Sequence, residues 1–390
     1  MSGGTQDTLR SVSIMGGARR GATVAAMVLV AALSASVLVY VGYLWSTLRG
    51  INDIGDMHVT ALRQPSVART QQHATDPVFV GQNLLIVGND DRSGMTDAEV
   101  RELKVGRDGG SLATDSMLLV HIPADGSRAV LVSLPRDSYV HIPGYGMNRL
   151  NAAYGFGYRD ASGNLKAKRA AGAALIVRTV HQLTGVPIDH FVQVSLLGFV
   201  RISDAIGNVT INLCNDVDDT VAHNVAEGEG HVGSGFKMSK GIHHIHGIQA
   251  LEFVRQRHNI PGSTIPDYSR AARQRYFLTA ALRHVTDASM LLDLAKLQRL
   301  VDAVRSSVYA DENLDVLDLA RQLSELSANN ISGHVVPTAY YWHDSPVGDV
   351  GIVHPAQVKR YVRNLLSPHK ATPRKHHVRH QRAVNSGCIN

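Results

Sequence analysis

Three stretches of the sequence combine carboxylates with arginines. In the first, GNDDR, Asp90, Asp91 and Arg92 follow an apolar, strand-like run that ends at Val87. Loops at the carboxyl ends of strands are where open α/β sheets place ligands. Asp115 precedes a second strand-like run, so the carboxylates of Asp90 and Asp115 can converge on one Mg²⁺ together with a substrate phosphate. Ordinary turn chemistry uses aspartate equally well and is the structural alternative.

The second stretch, SLPRDSYVHIPGYGMNRLNAAY, places Arg136 and Asp137 after another strand-like run and Arg149 and Asn151 after a Pro-Gly turn. A guanidinium group is a planar fork of donors that matches the oxygens of a phosphate. This stretch therefore predicts an oxyanion site at a strand end. A surface ion pair between Arg136 and Asp137 is the structural alternative.

The third stretch, QALEFVRQRHNIPGSTIPDYSRAARQR, concentrates arginine with glutamine and one aspartate: Arg255, Arg257, Arg270, Arg273, Arg275, Gln249, Gln274 and Asp267. On a helix that starts after Asp267, Arg270, Arg273 and Gln274 share one face. Asp267 would then cap that helix. Arginines without neighbouring lysines indicate bidentate recognition of an anion.

The spacing of Arg255 and Arg257 sets a condition on the local backbone. Residues two apart on an α-helix point about 200° apart, whereas on an extended segment they share a face. We predict that the helix ends near Arg255 and that the chain then extends. Both guanidinium groups can then converge with Arg136 on one anion.

Several familiar site motifs do not match. The histidines at 243, 244 and 246 lie in KMSKGIHHIHGIQAL, which we interpret as a polar turn into a helix and not as a zinc site. The glycines of EGEGHVGSG lack the Lys-Ser/Thr of a P-loop. No G-x-S-x-G is present, so a serine hydrolase has no nucleophile elbow.

The elements that must position these residues are short apolar runs between helical patterns. The strand-like runs are NLLIVG, SMLLVHI, AVLVSL, FVQVS, VTINL and residues 334–336, and the helical patterns cover 168–183, 248–255, 268–285, 290–308, 314–326 and a segment from Pro355. This mixture predicts an α/β domain over 81–366, a three-layer α/β/α sandwich with a central mixed sheet.

The ends of the chain differ from this domain. Residues 21–47 carry no charge and are long enough to cross a bilayer, so they predict one transmembrane helix, with a cleaved signal peptide as the rival. Arg19 and Arg20 precede this helix, which makes 1–20 cytoplasmic and places the domain outside the cell. Residues 48–80 are interpreted as a stalk, and 367–390 as a basic, His-rich tail.

In this order, the motifs resemble the LytR-CpsA-Psr family of cell-wall ligases over residues 83–285. The family pattern has a G-x-D-x-R, an S-D-T-like step, a P-R-D followed by K/R-x-N-A-A-Y, and a Q-A-L-x-Y-x-R-x-R followed by D-x-x-R-x-x-R-Q. The matching residues are Gly88, Asp90 and Arg92; Thr114, Asp115 and Ser116; Pro135, Arg136 and Asp137; 149–154; 249–257; and Asp267, Arg270, Arg273 and Gln274.

The resemblance implies transfer of a glycosyl-phosphate polymer from a polyprenyl-pyrophosphate carrier to a peptidoglycan hydroxyl. Asp90 and Asp115 would hold Mg²⁺, Asp137 or Asp267 would deprotonate the acceptor, and an apolar cleft would hold the polyprenyl chain. The pyrophosphate would be bound by Arg92, Arg136, Arg149, Arg255, Arg257, Arg270, Arg273 and Gln274, of which Arg136, Arg255 and Arg257 are also predicted to be catalytic. Such chemistry needs positioning and charge neutralisation more than a nucleophile.

Two alternatives use the same residues. A polyprenyl-pyrophosphate hydrolase would take water as acceptor, and a membrane-tethered regulator would only hold an anionic wall polymer. Nucleic acid is a poorer partner, because the basic residues do not alternate with aromatics and the domain is predicted to lie outside the cell.

The chain departs from the family pattern at two positions. Ala113 stands where the family usually has a basic residue, and Arg107 is a candidate replacement. Arg275 stands where a second glutamine is common, so it receives no family role. The two cysteines, Cys214 and Cys388, are predicted to pair because disulfides persist outside the cell.

Overall fold

The computed structural model describes residues 55–62, 81–92, 95–103, 110–123, 128–220, 233–256, 259–260, 266–285, 293–315, 319, 322, 331–367 and 387–390. Within these residues, none of the helices has the length and apolar character needed to cross a bilayer. The predicted transmembrane segment 21–47 and most of the predicted helix 314–326 lie outside the described residues.

The described elements alternate strands with helices. The strands are β1 (Gly55–Met57), β2 (Gln82–Asp91), β3 (Gly110–Ile122), β4 (Ala129–Ser133), β5 (Ser138–Ile142), β6 (Gly146–Arg149), β7 (His190–Ser195), β8 (Val209–Leu213), β9 (Val217–Asp218), β10 (Lys237–Met238), β11 (Gly241–Ile245), β12 (Val308–Asp311), β13 (Ile331–Val335), β14 (Tyr340–Trp342) and β15 (Val350–Ile352). The helices are α1 (Asp97–Glu102), α2 (Ala152–Asp160), α3 (Leu165–Thr184), α4 (Leu196–Ile206), α5 (Gly247–Arg255), α6 (Pro266–Val285), α7 (Leu294–Ser307) and α8 (Pro355–Leu366).

The main sheet is mixed and has seven strands in the order β1-β12-β7-β2-β3-β4-β13. The pair β2–β7 is parallel and the pair β2–β3 is antiparallel. Its central strands are the continuous apolar runs of the sequence, as expected for strands that face helices on both sides. The predicted mixed α/β class is confirmed.

Alternate residues of the central strands face two different helical layers. Leu85 and Val87 of β2 pack in one apolar cluster with side chains of α3 and α8, such as Ile176 and Val358. Leu84 faces the other cluster, which side chains of α6 and α7 border. The period of two along each strand therefore separates these two apolar clusters, and a third lies around β8, β11 and α5.

A second, four-stranded sheet was not predicted. Its order is β14-β15-β5-β6, and β5 alternates buried Ser138, Val140 and Ile142 with the more exposed Tyr139 and His141. Two of its strands have only three residues. A strand of that length shows no period in the sequence, which is why the sheet was missed.

Four sequence interpretations need correction. Residues 241–245 form the strand β11, paired with β8, and not a polar turn, since their backbones complete an antiparallel ladder. Helix α6 begins at Pro266, so Asp267 lies inside its first turn and not before it. Residues 55–57, within the predicted stalk, are an edge strand of the main sheet beside β12. Helices α1, α2 and α4 were not predicted.

The C-terminus is fastened to β8. Cys214 and Cys388 form a disulfide across a sequence separation of 174, which confirms their predicted pairing. Beside it, Ile389 runs parallel to Leu213, and its amide nitrogen donates to the Asn212 carbonyl oxygen over 2.8 Å. The chain end thus adds a short strand segment to the β8–β11 pair.

Breaking this disulfide is expected to destabilise the domain. A bridge over a long loop restricts the unfolded chain, so Cys388→Ser should lower the free energy of unfolding by about 2–5 kcal/mol. Thermal unfolding of the full-length protein in detergent measures this change. Reductant should lower the melting temperature of the parent protein and leave that of Cys388→Ser unchanged. Equal sensitivity of both proteins to reductant would contradict the prediction.

Candidate active site

The first ion pair of the site, Asp90 with Arg92, lies at the end of β2. The pairing register of β2 with β3 shifts on both sides of Asn89, and Asp90 follows directly. The Nε atom of Arg92 donates to Oδ1 of Asp90 over 2.9 Å, and a second guanidinium nitrogen of Arg92 donates to Oδ2. Arg92 therefore binds the Asp90 carboxylate in a bidentate geometry, which fixes the orientation of the carboxylate.

The second group of ion pairs, Arg136 with Asp115 and Asp137, joins the first half of β3 to the segment after β4. One terminal nitrogen of Arg136 donates to Oδ1 of Asp115 over 2.7 Å, and its Nε donates to Oδ2 of Asp137 over 3.3 Å. Because β3 and β4 are antiparallel neighbours, residues 21 apart in sequence meet at this edge. Arg136 bridges two carboxylates, which is more than the surface pair with Asp137 that was the structural alternative.

Helices α5 and α6 bring further arginines to the same place. Arg270 donates from a terminal nitrogen to the carbonyl oxygen of Asp115 over 3.1 Å. Arg255 is the last residue of α5, and the following residue, Gln256, has an extended backbone with φ −56° and ψ 131°. The predicted end of the helix at Arg255 is confirmed.

The electrostatics tie these groups into one cluster. Burial raises the pKa of Asp90 above its ordinary value, the positive charges of Arg92 and Arg255 act to lower it, and the negative charge of Asp115 acts to raise it further. The two carboxylates are therefore close enough to repel each other. A cation between them would relieve that repulsion.

The donor set fits a magnesium ion. Mg²⁺ is usually held by one or two carboxylates, with substrate phosphates and water completing its shell. The Asp115 carboxylate is 45% exposed, and each carboxylate oxygen has two lone pairs, so the bonds to Arg92 and Arg136 leave acceptor capacity. Within the described residues, no group of three or more His, Cys, Asp or Glu side chains could hold a metal. A cation here would therefore rely on a phosphate ligand.

An open apolar strip lies on the main sheet beside this cluster. Ile86, Leu118, Val192 and Val308 belong to four adjacent central strands, yet all four are only partly buried. At Gly88, two residues before Asp90, the nearest atoms to an added methyl group belong to Ser116 and Val194 of the neighbouring strands, and no described helix comes within 4 Å. These residues form an apolar strip along one face of the sheet, and Asp90 lies near its end.

Of two other predicted ligands on α6, Arg273 is buried and Gln274 is partly buried. Arg273 is 0% exposed, its guanidinium carbon lies 5.0 Å from the centre of the Phe253 ring, and its three side-chain nitrogens donate no hydrogen bond within the described residues. Burial lowers the pKa of Arg273 to about 10. Gln274 donates to the Val254 carbonyl oxygen over 3.5 Å. This face of α6 therefore packs on the end of α5.

Arg149 occupies a separate position in the second sheet. It pairs with Tyr139 across β5 and β6, and its guanidinium lies against the backbone of Gly348. No contact between its side chain and the carboxylates of Asp90 or Asp115 is found among the described residues. Its predicted phosphate contact stays a prediction.

Some predicted residues lie beyond the description of the structure. Residues 107 and 257 are outside the described ranges, and the side chains of Asp91 and Asp267 are not described. Their assigned roles stay predictions. Arg275, which received no family role, is buried and donates to the Ser133 hydroxyl oxygen over 2.8 Å, so it links α6 to β4 in the core.

The chain matches a known protein family over most of its length. Residues 45–353 match the LytR_cpsA_psr family. The chain belongs to that family. Its membership confirms the resemblance carried by the motifs at the ends of β2, β3, β4 and α5.

Two named bacterial proteins are similar to this chain. The chain is 33% identical over 296 residues to the cell wall biosynthesis protein LcpA of Corynebacterium glutamicum, covering 70% of this chain and 54% of LcpA. It is 28% identical over 257 residues to a polyisoprenyl-teichoic acid–peptidoglycan teichoic acid transferase, TagU, of Oceanobacillus iheyensis, covering 65% of this chain and 67% of TagU. The chain thus spans about half the length of LcpA.

The fold matches solved structures of the family. Bacillus subtilis TagV aligns with a TM-score of 0.53 and 21% identity over 74% of this chain and 96% of TagV. A structure of TagT bound to LI-WTA aligns with a TM-score of 0.50 and 20% identity over 75% of this chain and 91% of TagT. At these identities the match shows the fold alone.

Proposed function

We propose that the protein transfers a glycosyl-phosphate polymer from a polyprenyl-pyrophosphate carrier to a hydroxyl of peptidoglycan. The acceptor oxygen attacks the sugar-linked phosphorus, and the bond from that phosphorus to the bridging pyrophosphate oxygen breaks. A phosphodiester forms, polyprenyl phosphate leaves, and the hydroxyl proton passes to a base. In this proposal the enzyme is anchored by residues 21–47 and works outside the cell membrane.

One observation carries this proposal: the carboxylate and arginine cluster lies beside an apolar strip of the main sheet. Asp90, Asp115, Arg92, Arg136 and Arg270 supply paired carboxylates and forked cations. A pyrophosphate needs such cations, and a polyprenyl chain needs an apolar surface. Lipid pyrophosphate is a donor class that combines both requirements in one molecule.

The names of similar proteins support the same substrates. TagU of Oceanobacillus iheyensis is named as a transferase that moves teichoic acid from a polyisoprenyl carrier to peptidoglycan. A TagT structure contains a ligand abbreviated LI-WTA. These are properties of those proteins, and we extend only their chemical class to this chain.

In this reaction the arginines and the carboxylates have different roles. Arg136 and Arg255 neutralise charge on the pyrophosphate as it builds on the leaving phosphate, which is the dominant need in phosphoryl transfer. Of the two candidate bases, Asp137 and Asp267, we assign the role to Asp137, because it shares Arg136 with Asp115 at the same edge. Magnesium bound by Asp90 and Asp115 would neutralise the pyrophosphate and favour departure of polyprenyl phosphate.

The function is tested by following both products. Full-length protein in detergent is incubated with a polyprenyl-pyrophosphate-linked glycan, with and without peptidoglycan. We expect release of polyprenyl phosphate to depend on peptidoglycan and the labelled glycan to become bound to it through a phosphodiester. Peptidoglycan provides the nucleophile, so its removal should slow release at least about tenfold.

Two results would contradict this function. Equal release of polyprenyl phosphate without peptidoglycan, together with free glycosyl phosphate, would make the protein a hydrolase. Binding of the glycan with no release under any condition would make it a non-enzymatic regulator. Heat-inactivated protein is the control for spontaneous hydrolysis.

A further inference from the structure

The four-stranded sheet presents aromatic side chains to solvent. Tyr340 is 60% exposed and Trp342 is 40% exposed, both on β14. Large aromatic side chains usually bury much of their surface, so two exposed rings on one short strand indicate a contact surface. Neither residue belongs to the motifs of the active site.

The pairing register aligns these rings with further side chains on one face. Tyr340 pairs with Ile352, Ile352 pairs with Tyr139, and Tyr139 pairs with Arg149. Paired residues of neighbouring strands lie on the same face of a sheet. The row therefore crosses the whole sheet, and we call it, together with Trp342, the aromatic platform.

The rings on the platform contact each other. The ring centres of Tyr139 and Trp342 are 6.0 Å apart, with an angle of 86° between their planes. An edge-to-face pair of this kind is favourable and restricts both side chains. The platform is thus a preformed surface, with its outer rings available to a ligand.

The platform is continuous with the active site. Strand β5 begins at Ser138, immediately after Arg136 and Asp137, and the amide of Gly351 on β15 donates to the Asp137 carbonyl oxygen over 2.8 Å. The inner face of β5 packs with the apolar cluster around α3, whereas the apolar strip lies on the other face of the main sheet. The platform and the strip therefore lie on different sides of the main sheet.

From this arrangement we propose that the aromatic platform binds the sugar rings of the peptidoglycan acceptor. This proposal rests on the proposed function. A pyranose ring has apolar C–H faces that pack on aromatic rings, and hydroxyls that bond to polar neighbours such as Arg149 and His141. In the proposed function the donor lipid lies on the apolar strip of the main sheet, which leaves the platform to the second substrate.

The test measures glycan binding without the donor lipid. The chain has two tryptophans, Trp45 and Trp342, so Trp45→Phe leaves Trp342 as the only indole reporter. The full-length Trp45→Phe protein in detergent is titrated with a β-1,4-linked N-acetylglucosamine tetramer. We expect a blue shift of Trp342 emission, because stacked sugars displace water from the ring.

Substitutions then locate the binding. Tyr340→Ala in the Trp45→Phe background should weaken tetramer binding about threefold to tenfold, the usual worth of one aromatic contact. Leu165→Ala is the matched control, since Leu165 is an exposed apolar residue, 46% accessible, at the start of α3. Co-sedimentation with peptidoglycan sacculi measures binding to the intact polymer. Tyr340→Ala and Trp342→Ala should bind the sacculi more weakly than Leu165→Ala does.

The outcomes separate this inference from the proposed function. Glycan binding that depends on Tyr340 supports the platform even where polymer transfer fails, because the titration contains no donor. Unchanged tetramer and sacculus binding in Tyr340→Ala and Trp342→Ala overturns the platform and leaves the transferase proposal standing. Quenching of Trp342 by head-group-labelled lipid in reconstituted vesicles would also overturn it, by placing this face on the membrane.

Discussion

Replacement of both Asp90 and Asp115 by asparagine is expected to lower polymer transfer by at least about 10²–10³-fold, the usual cost of removing a charge-stabilising group. Asparagine keeps the size of each side chain but lacks its negative charge, so the pair no longer attracts a divalent cation. Transfer of labelled glycan to peptidoglycan measures the loss. Manganese binding, followed by electron paramagnetic resonance, should weaken in parallel.

The control for this prediction is Asp97→Asn. Asp97 is an exposed carboxylate in the first turn of α1 and lies outside the cluster. Its substitution should leave transfer and metal binding within twofold of the parent protein. Full activity of the Asp90→Asn/Asp115→Asn variant in the presence of a chelator would remove the metal from the mechanism.

Arg136→Lys is expected to lower turnover by about 10²-fold, although the charge is kept. Arg136 uses two different nitrogens to reach Asp115 and Asp137. Lysine has one nitrogen and no planar fork, so it cannot hold both carboxylates and also face a phosphate. Arg255→Lys and Arg257→Lys are expected to act in the same direction. Steady-state transfer rates at saturating donor measure the effect.

Arg201→Lys is the matched control for these changes. Arg201 pairs with Glu99 over 3.1 Å at the surface, where its side chain is 47% exposed. Exposed ion pairs contribute little, so this variant should keep parental turnover and melting temperature. Wild-type transfer by both Arg136→Lys and Arg255→Lys would show that the fork geometry is unimportant and that the proposed site is wrong.

The geometry of the site explains why the family motifs are separated along the chain. Asp115 and Arg270 are 155 residues apart in sequence yet meet through a hydrogen bond. Each motif follows or precedes a regular element, and the sheet order brings the ends of those elements to one edge. The chemistry therefore depends on the whole sheet being formed.

Several structural features of this protein could be predicted from the local sequence. Continuous apolar runs predicted the strands β2, β3 and β4, because a strand covered on both faces needs apolar residues at every position. The end of α5 at Arg255 followed from the loss of helical pattern after Val254 and from the proline and glycine beyond it. The disulfide followed from two cysteines in a domain predicted to lie outside the cell, where disulfides persist.

Other features were decided by tertiary structure alone. The spacing of Arg270, Arg273 and Gln274 predicted a shared face, but the packing partner of that face decides its environment. Because α5 lies against it, Arg273 is buried over Phe253 while Arg270 reaches Asp115. Helical periodicity predicts which residues share a face of a helix, but it does not predict which element packs on that face.

The aromatic platform is the clearest case of a feature that local sequence supplies in part and that tertiary structure completes. Tyr340 and Trp342 are visible in the sequence as part of a Tyr-Tyr-Trp run, but three residues do not reveal a strand. Their alignment with Tyr139 and Arg149 arises only when β14, β15, β5 and β6 pair. Local sequence determined which side chains are present and where most long elements run. Long-range pairing decided which of them meet, because contacts between distant segments depend on the packing of the whole domain.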